Sequence, residues 1–357
     1  MIFSPSCNCI FSRFILKYLI MKKIIFLIIV GSLSIAAGCS DNVGFLIKPV
    51  PADLSLKETV VQRDRGFVWN KIALIDVEGL LINCRNGPFW STWENPVSLF
   101  AEMLNKAKQD SAVKAVVIRI NSPGGTVQAS EAMYNQLQRF KRTSNKPVIA
   151  CITNVGASGA YYLACGADMI VSQPSSITGS IGVIVQTIDF VGTMKLLGIR
   201  AEAITSGPYK AMGSPLKGLT DKEREIFRAM VKEFYDQFVE VVAKGRKKLD
   251  VKKVRALADG RVYTGKQAHQ LGLVDKLGSV EDAIEIAKKA ANIKRANVVM
   301  YHRPYGYRSN VYSTFPGVVP ATQINLLNLE MSELFLLRRP MFLYLWSTDL
   351  PAEDVQK

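Results

Sequence analysis

The chain has 357 residues, of which 48% are hydrophobic, 21% charged and 9% aromatic, an ordinary globular composition that excludes a disordered chain, a many-span transporter and a miniature scaffold. Basic residues outnumber acidic ones 45 to 30, and this net charge of +15 favours anionic surfaces over acidic ligands without identifying a partner. The six cysteines (Cys7, Cys9, Cys39, Cys84, Cys151 and Cys165) show no CxxC spacing, so neither a metal site nor a disulfide framework is indicated.

Lys22 and Lys23 precede fifteen uncharged, mostly apolar residues from Ile24 to Gly38, the outline of a signal peptide. Crossing about 30 Å of hydrocarbon takes roughly 20 helical residues, so the run is short for a permanent span. It ends Ala36-Ala37-Gly38-Cys39, which resembles the lipidation signal of bacterial lipoproteins except that Ala36 stands where leucine is usual. On that reading Cys39 is lipidated and begins the mature chain; an uncleaved anchor is the competing reading, and both export the rest. Met21 directly precedes the segment and is an alternative start, which would leave residues 1–20 outside the protein. Residues 1–38 hold four basic and no acidic residues, so 41 basic and 30 acidic residues lie beyond them, a surplus that would help hold the chain at an anionic membrane.

Residues 1–39 are therefore expected to be a signal peptide or anchor, 40–68 a tether, 69–295 the main domain and 296–357 a C-terminal extension. Short apolar runs over 71–79, 112–125 and 146–153 read as strands, and helical spacing over 97–109 and 127–141 reads as the helices between them. Near-continuous aliphatic strands alternating with helices imply a buried, largely parallel α/β sheet. Residues 221–247 predict a long helix whose Ile226, Met230, Phe234, Phe238 and Val241 make a core-facing stripe, and 279–291 predict another helix. The segment 301–317 is expected to be loop. The stretch 326–346, broken by Glu330, Glu333, Arg338 and Arg339, is too polar for a membrane span and reads as a lid, an interface arm or a surface helix.

Three segments can carry chemistry. Residues 121–127 (NSPGGTV) follow a strand and open a helix, and their glycines can turn the chain while leaving N–H groups free for an anion or a developing oxyanion. No GxxxxGK signature is present, and a plain structural turn fits the segment too. In 156–168 (GASGAYYLACGAD) small residues flank Ser158, which allows a tight strand-to-helix turn presenting its hydroxyl, although Ala160 replaces the last glycine of GxSxG. A helix cap is the equal alternative. His269 and His302 are the only histidines, and neither stands at a glycine-rich strand end, so a Ser-His-Asp triad is poorly supported. Lys210 lies in a small-residue loop, 205–215, with no carboxylate nearer in sequence than Glu202 or Asp221. A lysine acting as base near pH 7–8 must be lowered by about 3 units from near 10.4, roughly 4 kcal/mol, which desolvation in an apolar loop can supply. A solvated surface lysine is the simpler alternative.

Taken in this order, the three segments resemble the signal peptide peptidase SppA (protease IV) family of Ser-Lys peptidases, in its short single-module bacterial form, over residues 72–293. The resemblance implies a crotonase/ClpP-like spiral of ββα units. It implies Ser158 as nucleophile, Lys210 as general base, Gly125 and Gly159 as oxyanion donors, and Ser180 of the segment 178–183 (TGSIGV) as a hydroxyl that holds the lysine amine toward Ser158. It further implies a membrane-associated homo-oligomer that needs no cofactor or metal, contacts no nucleic acid, and degrades cleaved signal peptides and other apolar peptides at the extracytoplasmic face. Two other readings remain: a crotonase-type acyl-CoA enzyme, against which export argues, and an inactive membrane scaffold, against which the joint presence of Ser158, Ser180 and Lys210 argues.

Overall fold

The computed structural model describes residues 55–83, 94–303 and 341–346. The signal segment with Cys39, and residues 304–340 and 347–357, lie outside the described residues. In chain order the elements begin with β1 (Lys57–Gln62), β2 (Lys71–Glu78), α1 (Pro96–Gln109), β3 (Val113–Ser122), β4 (Gly124–Thr126), α2 (Val127–Ser144), β5 (Val148–Ala157) and α3 (Gly159–Ala164). They continue with β6 (Met169–Ser172), β7 (Ile177–Gly179), β8 (Ile184–Val185), α4 (Val191–Leu196), α5 (Asp221–Gly245) and α6 (Val251–Leu257). The last are β9 (Val262–Thr264), α7 (Gly265–Gln270), β10 (Lys276–Leu277), α8 (Val280–Ala290), β11 (Asn297–His302) and β12 (Phe342–Leu345).

The aliphatic runs of β2, β3 and β5 form the centre of a sheet ordered β1-β11-β2-β3-β5-β6-β10, in which β11–β2, β2–β3, β3–β5, β5–β6 and β6–β10 are parallel. Side chains alternate across a pleated strand, and here both faces are covered. Ile75, Ile118 and Ile152 pack toward α1, α2, α3 and α5, whereas Leu74, Val117 and Ile149 pack toward α8. Strands buried on both faces carry no polar alternation, which is why these runs read as continuously apolar. The segment β3-β4-α2 is one ββα unit, with β3 in the large sheet and β4 in a separate sheet ordered β4-β12-β8.

The C-terminal half of β5 runs past β6 and pairs instead with β7, Val155 with Ile177 and Ala157 with Gly179. Buried charges brace the neighbourhood. Arg119 Nε donates to Asp76 across β3 and β2 at 2.8 Å, and Arg246, just beyond α5, donates to Asp275 at 2.5 Å. Tyr161 of α3 donates its hydroxyl to the Leu273 carbonyl at 2.7 Å.

Four expectations need correction. Residues 57–62, expected in the tether, form edge strand β1 antiparallel to β11. The expected domain end at 295 cuts off β11, which lies inside the sheet between β1 and β2 and begins its strand before the expected loop at 301. On α5 the buried stripe is Phe227, Phe238, Val239 and Val242, and Met230 is exposed, because a helix seated against β12 turns a slightly different face inward from the one the spacing selected. Within 326–346 the described part is a strand, β12, rather than a helix.

Cys151 on β5 and Cys165 at the end of α3 are free and buried. Burial pushes their thiols up to about 12 and about 11, so neither supplies reactive thiolate near neutrality. Iodoacetamide at pH 8 should leave both unlabelled in the native protein and label both after denaturation, as read by peptide mass mapping; native labelling of either would contradict the packing.

Candidate active site

β5 ends where the chain must leave a ladder and enter a helix within one residue. Ser158 N–H stays in the ladder, donating to the Gly179 carbonyl of β7 at 2.8 Å, while Gly159 already begins α3. The junction residue therefore adopts φ 52° and ψ −116°, a left-handed conformation that costs a non-glycine residue of order 1–3 kcal/mol. Gly156, Ala157, Gly159 and Ala160 leave room for it. The Ser158 hydroxyl caps nothing, which removes the helix-cap reading. It is 1% exposed and has no hydrogen-bond partner.

The glycine turn lies directly alongside. Gly124 has φ +102° and its N–H is taken by Ser122 Oγ at 3.1 Å. One edge of β4 pairs with Leu81, whose N–H donates to the Gly124 carbonyl and whose carbonyl accepts from Thr126 N–H, both at 2.8 Å. The other edge meets β12, with Gly125 opposite Tyr344 and Trp346 N–H donating to the Pro123 carbonyl at 2.9 Å. Bonding and non-bonding pairs alternate along an antiparallel ladder, so Gly125 and Tyr344, two residues on from Pro123 and Trp346, form the next bonding pair. Gly125 N–H thus faces the Tyr344 carbonyl. That oxygen lies 2.1 Å, and the Gly159 nitrogen 2.7 Å, from the point where a Cβ on Gly124 would stand. A carbonyl oxygen facing the Gly125 amide, with the Gly159 nitrogen close to the same space and Ser158 the residue before it, is an arrangement that suits an acyl-transfer oxyanion pocket.

The possible bases are less close. His302 is committed at the far edge of the sheet, its Nδ1 donating to the Arg303 carbonyl at 2.6 Å and its Nε2 accepting from the Thr59 hydroxyl at 2.7 Å. His269 is exposed on α7. Lys210 is exposed too, in bends and turns over 206–213, where its backbone N–H donates to the Gly207 carbonyl at 3.2 Å. The structure brings together Ser158, Gly125 and Gly159 but does not join Lys210 to Ser158, and the loop expected to dry the lysine is itself open to solvent. Ser180 is buried at φ 49° just past β7, with its N–H donating to the Arg261 carbonyl at 2.8 Å.

The sequence matches Peptidase family S49 over residues 140–294 and Clp protease over 92–180. Over 238 residues it is 36% identical to a putative signal peptide peptidase SppA of Enterococcus faecium, covering 67% of this chain and 69% of that protein. The chain belongs to peptidase family S49. It is also 38% identical over 202 residues to a putative protease of Methanocaldococcus jannaschii, covering 57% of this chain and 64% of that one. Protease 4 of Haemophilus influenzae is 35% identical over 233 residues, which is 65% of this chain and 37% of that protein. The α/β architecture is accordingly ClpP/crotonase-like, and the S49 assignment makes the chain a serine peptidase.

Within that S49 frame, two participants escape a reading of the sequence. Gly124, rather than its neighbour, carries the left-handed turn and leaves the space the oxygen fills; the Gly-Gly pair announces a turn but not which glycine makes it. Tyr344 pairs with Gly125 from 219 residues away in sequence, and no local pattern announces that contact.

Gly124→Ala should place a methyl group in the oxygen site and lower peptidase activity on the order of 10²–10³-fold, the usual cost of a lost oxyanion contact. Gly192→Ala, where a Cβ meets nothing within 4 Å, is the control expected to keep activity. Peptide hydrolysis and thermal melting of both variants check this; near-normal activity in Gly124→Ala would rule out the pocket.

Proposed function

We propose that the chain is a Ser-Lys endopeptidase of the membrane surface, acting on extended apolar peptides such as cleaved signal peptides. The observation that carries the reading is the buried, unpartnered Ser158 hydroxyl on its left-handed turn, with the Tyr344 carbonyl oxygen and the Gly159 nitrogen both close to the space that Gly124 leaves open. Ser158 Oγ attacks the scissile carbonyl carbon, the oxyanion takes the place of the Tyr344 oxygen, and a base receives the serine proton.

Lys210 is the base in this reading. His302 is committed to Thr59 and Arg303 and His269 is exposed on α7, and among the described residues Lys210 forms no ion pair. The lysine stands on a segment that also exposes Leu196, Leu197, Ile199, Ile204 and Leu216, with Leu196 at 89% and Ile204 at 98%. Such a face is left wet in one copy and calls for a covering surface. A second copy packed on it would bury the apolar groups and dry the loop around Lys210, which is how we reconcile an exposed lysine with a catalytic one. Ser180, buried just past β7, is the hydroxyl that orients the amine in this reading.

The preference for apolar substrates is supported by the strand seated in the pocket, Phe342–Leu345, whose side chains are apolar or aromatic. Among the described residues no helix is long and apolar enough to cross a membrane. Attachment in this reading comes from Cys39, on the strength of the Ala-Ala-Gly-Cys segment. Mass spectrometry of the N-terminal peptide is expected to find lipidated Cys39 as the first residue; an unmodified peptide spanning Gly38 and Cys39 as the dominant species would favour an uncleaved anchor.

Ser158→Ala and Lys210→Ala should each lower kcat/KM on the order of 10³-fold or more with the fold intact, because a nucleophile and its base act as a unit. Labelling by a fluorophosphonate probe should vanish in Ser158→Ala. Substantial hydrolysis by Lys210→Ala would exclude the lysine as base. In the wild type kcat/KM should rise with pH, since only the uncharged amine accepts the serine proton; a flat profile between pH 5 and 10 would speak against a lysine base.

A further inference from the structure

Ser158 begins α3, and the other end of that helix meets a feature the peptidase reading does not use. Cys165, Gly166 and Ala167, which follow its last turn, line a cavity of about 300 Å³ together with the end of α5, a volume at the lower end for small-ligand sites. Glycine lets the two helix ends approach so closely. A Cβ on Gly245, the last residue of α5, would stand 2.3 Å from the Cys165 carbonyl oxygen.

Ligand clefts are ordinarily lined by apolar groups, but here half of the fourteen lining residues are charged. Lys141 of α2 and Lys244, Arg246, Lys247 and Lys248 bring five positive charges. Asp168 and Asp275 bring two negative ones, which leaves a surplus of three. Both carboxylates are already engaged. Asp168 accepts from Lys141 Nζ at 2.7 Å and from Val148 N–H at 2.8 Å. Asp275 accepts from Arg246 at 2.5 Å and from Ile170 N–H at 2.8 Å.

Helix dipoles explain only part of this charge. Cations are favoured in the last turn of a helix, which is where Lys141 of α2 and Lys244 of α5 lie. Lys247 and Lys248 stand beyond that turn, in the connection to α6. Lys244, Lys247 and Lys248 are exposed, and among the described residues none of them forms an ion pair. Like charges gathered within five residues repel one another unless something of opposite sign lies between them. Arg246, in the midst of them, is 4% exposed, and its Nε has no hydrogen-bond partner. A buried charged donor left unsatisfied is costly. An anion in the cavity would relieve the repulsion and bring a negative charge to Arg246.

We propose that the cavity between the ends of α3 and α5 binds a phosphate group, whose charge is answered by Arg246 from the wall and by Lys244, Lys247 and Lys248 from the rim. A soluble phosphate ester and the headgroup of an anionic phospholipid both present that chemistry. The inference uses neither Ser158 nor Lys210, so it stands or falls apart from the peptidase reading.

The test is calorimetric titration of the full chain with glycerol 3-phosphate and with glycerophosphoglycerol, in about 0.15 M NaCl so that long-range attraction is screened. Saturable binding of at least one probe is expected. Lys244→Gln, Lys247→Gln and Lys248→Gln together should weaken it roughly ten- to a hundredfold, the sum of three exposed charge pairs. These side chains are exposed, so the melting temperature without ligand should match the wild type. Lys108→Gln, Lys289→Gln and Lys294→Gln together remove the same charge elsewhere on the surface and should change the affinity less than about threefold, since screening leaves distant charges little effect. Tighter binding of glycerol 3-phosphate would identify a soluble ester as the ligand, and tighter binding of glycerophosphoglycerol a lipid headgroup; either sustains the site. No saturable binding of either probe, or equal weakening in the two triple variants, overturns the proposal. Peptide hydrolysis should persist in both triple variants, and its absence from every form of the protein would sink the peptidase reading while leaving the phosphate site intact.

Discussion

The hydrogen bond from Ser158 N–H to the Gly179 carbonyl sets the geometry of the site. It keeps the last amide of β5 in register with β7 at the point where the next residue is already helical, and the left-handed turn at Ser158 is what remains when both demands are met. The hydroxyl of a residue held this way cannot swing out to cap α3, and it finds no partner inside. Thr178 adds a second tie, its hydroxyl donating to the Gly156 carbonyl at 2.7 Å, so the strand beneath the turn is fixed two residues earlier. Removing the small residues around this junction would break the compromise at once, since a Cβ at Gly159 would stand 2.2 Å from Ser130 Oγ and one at Gly156 2.8 Å from the Ile152 side chain.

The two halves of the proposed machinery rest on different kinds of structure. Ser158 and the amides of Gly125 and Gly159 are fixed by strand ladders at the core of the molecule, where burial on both faces leaves little freedom. Lys210 stands on a segment with a six-residue helix, α4, several turns and many exposed apolar groups. A site divided in this way is preorganised where charge develops and adjustable where the proton goes. In our reading it becomes complete only when the adjustable part is packed against another surface.

Most of the fold was legible because its strands are unusual. Runs such as 113–120 have no polar face, which points to a parallel sheet covered on both sides, and the helices between them carry clear apolar stripes. The Ser158 turn was legible as one of two readings, since consecutive small residues after a strand suit a tight turn and a helix cap alike; the uncapped hydroxyl decides between them. What stayed hidden was long-range pairing. β1 has an ordinary mixed sequence and becomes a strand only because β11 offers it an edge, and the identity of β12 as a strand is set by β4 and β8 rather than by its own apolar sequence, which fits a helix equally well. The environment of Lys210 stayed open between a dry loop and a solvated one: an aliphatic run such as 199–204 suggests burial, but burial needs a covering surface, and Ile199 and Ile204 are exposed.

β12 also closes two strand edges at once. β4 is three residues long and β8 only two, and neither has enough ladder to hold a sheet alone. Their alignment depends on the strand between them, so whichever segment lies there helps to shape the groove it occupies. An unoccupied groove would be a pair of bare edges, and bare edges recruit any extended chain with suitable side chains. Holding β12 in place therefore protects the edges of β4 and β8 from stray pairing as well as aligning them.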